Sequence, residues 1–293
     1  MKMGLDMKKN KYAYLLILPA VLIVLLTILV PIVTTFRYSL SYFKLTDPNN
    51  QKFIGIKNYV DILHDKGFIN AFKNSFMILI AVIIIGLVIS IVIALILNKK
   101  TKISGALLAI SIIPWALPPI VNGIIWKFIF FPGYGFANKL IINLGLASKP
   151  INWINNKKMF VFLVAMVLCW KIVPFCALVI LAKLETIPKT LYEAISIDGA
   201  GKFDTFRLIT LPLIMEVLGI VLLNLTTAAI NVYDEIIALS GYVLENQTLL
   251  IYNYANTFQY LNFGYGSAIS YTIMIIVGVC GIGYIKRMSR GIK

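Results

Sequence analysis

The sequence predicts an all-α integral membrane protein, because three features of the chain agree. The 293 residues are 60% hydrophobic and only 13% charged, and the mean hydropathy is +0.88. Soluble domains are typically about 45–50% apolar and about 25% charged. Six apolar stretches are each long enough to cross a bilayer as a helix, which needs about 20 residues. They are rich in Ile, Leu and Val without the alternation of membrane strands, so the pattern excludes a closed β-barrel.

The six transmembrane helices are predicted near residues 12–36, 72–98, 103–130, 159–182, 212–238 and 264–285. No linker separates a soluble part, so residues 1–293 are predicted to form a single transmembrane domain. The first apolar run is longer than the 7–15-residue core of a signal peptide, which favours a retained helix. The third stretch contains Pro114, Pro118 and Pro119, which predict a kinked helix because proline removes a backbone hydrogen bond.

The net charge of +15 is explained by orientation in a membrane and does not require nucleic acid as a partner. With the N-terminus inside, the inner segments 1–11, 99–102, 183–211 and 286–293 hold 15 Lys and Arg in 52 residues, whereas the outer segments hold 11 in 96. This bias follows the positive-inside rule. We therefore expect a multi-pass protein with both termini in the cytoplasm.

The sequence predicts no metal site, no cofactor and no catalytic residue. Cys169, Cys176 and Cys280 all fall inside predicted spans, where thiols pack as small apolar groups. The single histidine, His64, lies in an outer segment, so there is no pattern of metal ligands.

A polar segment between the fourth and fifth spans predicts two short helices joined by a tight turn. Pro188 suits the first turn of a helix, and Gly199 and Gly201 interrupt that helix. Asp204 is predicted to cap the second helix, which leads into the fifth span through Pro212. An apolar stripe at helical spacing is formed by Ile187, Leu191, Ala194 and Ile195.

The order of residues in this segment resembles the EAA loop of ATP-binding-cassette (ABC) importer permeases. The resemblance implies that the loop, residues 187–212, is cytoplasmic and docks into a groove on a separate ATPase subunit. The implied coupling residues are Glu193, Ala194, Asp198, Gly199, Ala200, Leu211 and Pro212. The alternative interpretation is an amphipathic helix that lies on the lipid headgroups.

The segment Gly199-Ala200-Gly201-Lys202 superficially resembles a phosphate-binding loop. That motif needs a glycine where Ser196 stands and Ser or Thr where Phe203 stands. The chain therefore lacks this motif, and we expect ATP hydrolysis to occur in another polypeptide.

Other segments resemble the carbohydrate branch of these permeases, of the maltose and glycerol-phosphate type. Residues 53–59 match F-x-G-x-x-N-Y and residues 170–175 match W-x-x-x-P-F. An outer-segment pattern is matched by Trp126, Gly135, Asn138, Gly145 and Trp153. The resemblance implies a bacterial plasma-membrane importer of a sugar or oligosaccharide. Its implied partners are a second homologous permease in a heterodimer, a cytoplasmic ATPase dimer and an extracellular solute-binding protein.

Polar side chains inside the predicted spans are candidates for the substrate path, because such groups are costly in a bilayer. They are Lys171, Asn224, Asn231, Tyr233 and Asp234. Hydrogen bonding between helices is the alternative role of the small polar residues. For Lys171, the alternative is an ion pair with an acid of the partner subunit.

Two other functions stay open at the level of sequence. An ion-coupled secondary transporter would need no ATPase, and an inverted repeat with buried acids would favour it, but neither is clear in the chain. A membrane anchor or scaffold would tolerate loss of the polar groups within the spans.

Overall fold

The computed structural model describes the backbone of residues 3–99 and 104–290, and the side chains from Tyr14 onward apart from residues 158, 280 and 283–290. The fold is almost entirely helical. The α-helices are α1 (Met3–Ser39), α2 (Lys57–His64), α3 (Lys66–Leu97), α4 (Ser104–Ala116), α5 (Pro119–Phe130), α6 (Phe136–Asn143), α7 (Lys157–Glu185), α8 (Lys189–Ile197), α9 (Lys202–Thr205), α10 (Leu211–Ile230), α11 (Asp234–Ser240), α12 (Leu249–Tyr254) and α13 (Phe263–Arg290). Two strands, β1 (Ser41–Tyr42) and β2 (Lys52–Phe53), pair antiparallel.

Four described helices are long and apolar enough to cross a membrane. They are Tyr14–Ser39, Lys66–Leu97, Met159–Glu185 and Lys202–Ile230. The helices α4 and α5 pass the same test only as a bent pair, and the described apolar part of α13, Phe263–Val279, is shorter. The predicted all-α membrane fold is confirmed. That the chain crosses the membrane six times stays a prediction.

The third predicted span, 103–130, is not one kinked helix. Its two halves, α4 and α5, meet at an angle of 98° at the break before Pro119. Pro118 takes an extended conformation (φ −56°, ψ 139°), as the residue before a proline prefers, and this ends the helical path. Residues 100–103, at the predicted start of this span, lie outside the described residues.

The fifth predicted span, 212–238, is also interrupted. The helix begins earlier than predicted, with α9 and a π-helical turn at Phe206–Thr210, and α10 ends at Ile230. Asn231 ends α10 and the chain starts again as α11. The last part of the predicted span therefore belongs to a second, short helix, α11, which is mostly buried.

The chain divides into two compact units, and the first joins the part of the chain before Asp65 to Asn253–Ile275. Within it, Asn58 Nδ2 donates to the carbonyl oxygens of Ser39 (2.9 Å) and Ser41 (3.0 Å). The Tyr59 hydroxyl donates to Ser39 Oγ at 2.7 Å. The Asn-Tyr pair of the F-x-G-x-x-N-Y pattern thus fixes the chain where α1 ends, since buried carbonyls need donors.

The second unit contains Asp65–Tyr252 and the chain from Ile276 onward. Its core forms where α3, α7 and α10 pack together. Fully buried members are Ile78, Val82, Val164, Cys176, Ile180, Ile214, Val221 and Leu225. Cys169 is buried in the same cluster, so it and Cys176 pack as predicted, whereas the side chain of Cys280 lies outside the described residues.

Candidate functional site: a polar pocket and a coupling loop

A polar pocket of about 320 Å³ lies between α5, α7, α10 and α11. This volume is at the lower end of the range for small-molecule pockets, about 300–1,000 Å³. Its polar lining consists of Lys171, Asn224, Thr227, Asn231, Asp234 and Glu235. Four of the five residues predicted for the substrate path are therefore brought together by the fold.

The fifth predicted residue, Tyr233, does not line this pocket. Its hydroxyl lies 2.7 Å from that of Tyr242, and the two share a hydrogen bond. Tyr233 also packs against the hydrophobic core. Asp234, the next residue, does line the pocket.

Lys171 forms an ion pair with an acidic residue of the same chain. Its Nζ lies 3.8 Å from Glu235 Oε1, and only 7% of the Glu235 side chain is exposed. Lys171 therefore has an acidic partner within the chain, and its pairing with an acid of the partner subunit stays a prediction. A buried carboxylate needs such a partner because desolvation of an isolated charge is costly.

Glu235 is the pocket-lining residue that sequence reasoning missed. It stands next to the predicted Asp234, and as an acid in an apolar stretch it carried the same signal. The two were indistinguishable without the backbone path, which buries Glu235 and leaves Asp234 exposed.

The pocket lies at a helix interruption. Asn231 is the C-terminal cap of α10, and its backbone N–H donates to Thr227 O at 3.0 Å. Asp234 is the first residue of α11. Interrupted helices place polar backbone and side-chain groups at the binding sites of many transporters, because the freed groups need polar surroundings.

The predicted turn in the loop 187–212 is confirmed at Gly199. Its φ of +78° is in the left-handed region, which residues with a Cβ rarely adopt. Gly201 is extended (φ −71°, ψ 173°) and is the N-terminal cap of α9. The prediction that Asp204 caps this helix is wrong, because Asp204 lies inside its first turn.

Three contacts lie within the loop or beside its ends. The Tyr192 hydroxyl in α8 lies 3.3 Å from Thr210 Oγ1, the residue before α10. Lys183, in the last turn of α7, pairs with Glu216 of α10 at 3.2 Å between Nζ and Oε2. Ile187 is buried in the core cluster. The loop therefore packs on the core through Ile187, and the Lys183–Glu216 pair joins the two helices that the loop connects.

The face of the loop that points away from the protein core is accessible to solvent. Glu193, Ala194, Asp198 and Gly199 are exposed, and Ile197 is 86% exposed. Among the other predicted coupling residues, Ala200 and Leu211 are half-buried and Pro212 is exposed.

The predicted apolar stripe is only partly buried in this chain. Ile187 is buried and Ile195 half-buried, whereas Leu191 and Ala194 are exposed. The aromatic ring of Tyr192 packs on the core instead.

The outer-segment pattern has a structural role around Asn138. Asn138 Oδ1 accepts hydrogen bonds from the Ile151 N–H and from Trp153 Nε1, both at 3.0 Å, and its Nδ2 donates to Ile151 O at 3.0 Å. A Cβ on Gly135 would lie 2.4 Å from Phe131 O, so this position needs glycine. These hydrogen bonds hold the segment that follows α6 against α6.

Residues 86–289 match the family model for the inner membrane component of binding-protein-dependent transport systems. The chain belongs to this family. It is 35% identical to the trehalose/maltose transport system permease protein MalF of Thermococcus litoralis, over 96% of this chain and 95% of that protein. It is 31% identical to the sulfoquinovosyl glycerol transport system permease protein SmoG of Agrobacterium fabrum, over 98% and 92% of the two chains.

The fold of this family member is also that of a solved structure. A chain of the bacterial alginate ABC transporter, in complex with an alginate pentasaccharide-bound periplasmic protein, superposes with a TM-score of 0.83. The match covers 100% of this chain and 98% of that chain at 21% identity. The protein is a membrane-embedded permease subunit of an ABC importer, and its relatives are named as transport subunits rather than enzymes.

Proposed function

We propose that this permease subunit forms part of the translocation path for a sugar or oligosaccharide. The observation that carries the proposal is the polar pocket, whose amides, hydroxyl and carboxylates match the hydroxyl groups of a sugar. Relatives named for transport of trehalose and maltose, and of sulfoquinovosyl glycerol, support the same substrate class.

Transport is driven by ATP hydrolysed in a separate cytoplasmic ATPase dimer that holds the loop 187–212. The exposed residues Glu193, Ala194 and Asp198 present the contact surface, and Ile197 supplies an apolar side chain that is otherwise left in water. Closure of the ATPase dimer moves α8. Ile187 and Tyr192, which pack on the core, transmit that motion to α7 and α10, and Tyr192 also contacts Thr210 next to α10.

The complete importer has a second, homologous permease and an extracellular solute-binding protein. Loop 187–212 and both termini face the cytoplasm of a bacterial cell, and the segment around Asn138 faces outward. The positive-inside distribution of Lys and Arg supports this orientation.

Co-purification tests the assembly. The tagged chain is extracted in mild detergent, and the proteins that accompany it are identified by mass spectrometry. We expect a second permease and an ATPase, with the ATPase reduced at least several-fold by Glu193→Ala combined with Gly199→Asp. The matched control is Asn143→Ala, an exposed position far along the chain from the loop, which leaves the yield of both partners unchanged.

A lone chain that takes up substrate in liposomes without ATP, under an ion gradient, would overturn this function. That result would establish the ion-coupled secondary transporter instead.

A further inference from the structure

The lining of the polar pocket carries more negative than positive charge. Its ionisable members within the described part of the chain are Lys171, Asp234 and Glu235. Lys171 and Glu235 neutralise each other across 3.8 Å. The other polar lining groups, two Asn amides and a Thr hydroxyl, are uncharged. One carboxylate, that of Asp234, is left without a counter-charge.

The Asp234 carboxylate is open to a ligand. Asp234 is exposed and lines the pocket, and no described residue forms an ion pair or hydrogen bond with its side chain. An ionised carboxylate only accepts hydrogen bonds, so it suits neighbouring hydroxyl donors of a sugar. The same group repels a phosphate, sulfonate or carboxylate placed beside it.

Lys171 is the one cation in the described lining, and it is not available for an acidic ligand. If Lys171 turned to a ligand anion, Glu235, with its side chain 7% exposed, would lose its counter-ion. Leaving one partner of a buried ion pair without its counter-charge is strongly unfavourable. An acidic sugar would therefore have to overcome both this cost and the repulsion by Asp234.

We propose that the pocket selects uncharged sugars and rejects sugars that carry phosphate, sulfonate or carboxylate. This inference rests on the proposed transport function and narrows its substrate class. It distinguishes the chain from transporters of acidic saccharides, although the fold is shared with the alginate transporter and a relative of 31% identity is named for sulfoquinovosyl glycerol, a sulfonated sugar.

The sign of the pocket potential can be measured directly with charged thiol reagents. Asn231→Cys places a thiol on an exposed lining position. The purified detergent complex of the full chain and its partners is treated with two methanethiosulfonates, one carrying trimethylammonium and one carrying sulfonate. The wild-type chain, with its three native cysteines, gives the background rate.

The rate of each reagent is divided by its rate with a small free thiol. After this normalisation, we expect the cationic reagent to react faster. For one unpaired negative charge at a separation of about 7 Å, Coulomb's law at the dielectric constant of water gives a rate ratio of roughly fivefold. Asp234→Asn, which keeps the shape of the side chain, should bring the ratio to about one. Asp61→Asn, the same change at an exposed position of α2, should leave the ratio unchanged.

A normalised ratio of one or below in the Asn231→Cys chain would overturn the proposal. So would a ratio that Asp234→Asn does not lower. Neither outcome is evidence against the transport function, because these reaction rates are measured without substrate.

Transport of a matched pair gives the second readout. The complex in proteoliposomes, with its binding protein, is given trehalose or trehalose 6-phosphate. ATP-dependent uptake of the neutral sugar with at least tenfold less uptake of the phosphate supports the proposal, and preference for the phosphate contradicts it. Absence of ATP-dependent uptake of any sugar, with the expected thiol ratio intact, would instead count against the transport function.

Discussion

At the scale of single residues, the sequence identifies the polar groups but not their partners. Lys171, Asn224, Asn231 and Asp234 stand out because polar groups in apolar spans are rare, and all four line one pocket. The partner of Lys171 is 64 positions away in sequence, at Glu235, and only the crossing of α7 and α11 brings the two side chains together. Local sequence patterns carry no information on such a pairing.

The Lys171–Glu235 pair gives a prediction that a double substitution can test. Lys171→Met or Glu235→Gln alone leaves one charge without its partner, which we expect to cost about 1–3 kcal/mol, less than a fully buried pair because Lys171 is 20% exposed. The melting temperature of the detergent-solubilised complex should fall with either change and recover by at least half in the double variant.

If the double variant melts at the temperature expected for two independent losses, the two side chains do not stabilise each other. Lys183→Met with Glu216→Gln is the matched control, because this second pair is more exposed and should show little coupling.

At the scale of helices, hydropathy predicts the existence of the apolar segments well and their continuity poorly. The span predicted at 103–130 is broken by 98° before Pro119, and the span predicted at 212–238 is interrupted after Ile230. Proline and apolar composition are compatible with both a kink and a break. The choice is made by packing between the short helices α5 and α11, which hydropathy does not report.

Gly123 in α5 gives the test of this packing. A Cβ there would lie 2.6 Å from the Ala238 Cβ and 2.8 Å from Glu235 O, so backbone would have to move. We expect Gly123→Ala to push α5 away from α11, to destabilise the protein by about 1–3 kcal/mol through overpacking, and to reduce uptake several-fold. Thermal melting and sugar uptake by the same preparation measure the two effects.

Gly105 in α4 is the matched control, since nothing lies within 4 Å of a Cβ built there. Gly105→Ala should melt no lower than the wild type, because alanine favours a helix. Equal behaviour of the two alanine variants would contradict the close approach of α5 and α11.

At the scale of the whole molecule, the two helices α7 and α10 extend from the pocket to the loop 187–212. The helix α7 carries Lys171 at the pocket and Lys183 beside the loop, and α10 carries Asn224 and Glu216 in the same two places. The sequence predicts both sites separately, from polar residues in spans and from the EAA-like order. It does not predict that the same pair of helices serves both, because that depends on how α7 and α10 pack.

The most direct test of the central claim is ATP-dependent sugar uptake by the reconstituted complex with Gly199→Asp, compared with Gly201→Ala. Gly199 has a φ of +78°, where a side chain is strained by about 1–2 kcal/mol, whereas Gly201 is extended and tolerates alanine. We predict that Gly199→Asp reduces uptake at least tenfold while the protein stays in the membrane and Gly201→Ala retains most uptake. Normal ATP-dependent uptake with Gly199→Asp would contradict coupling through the loop 187–212.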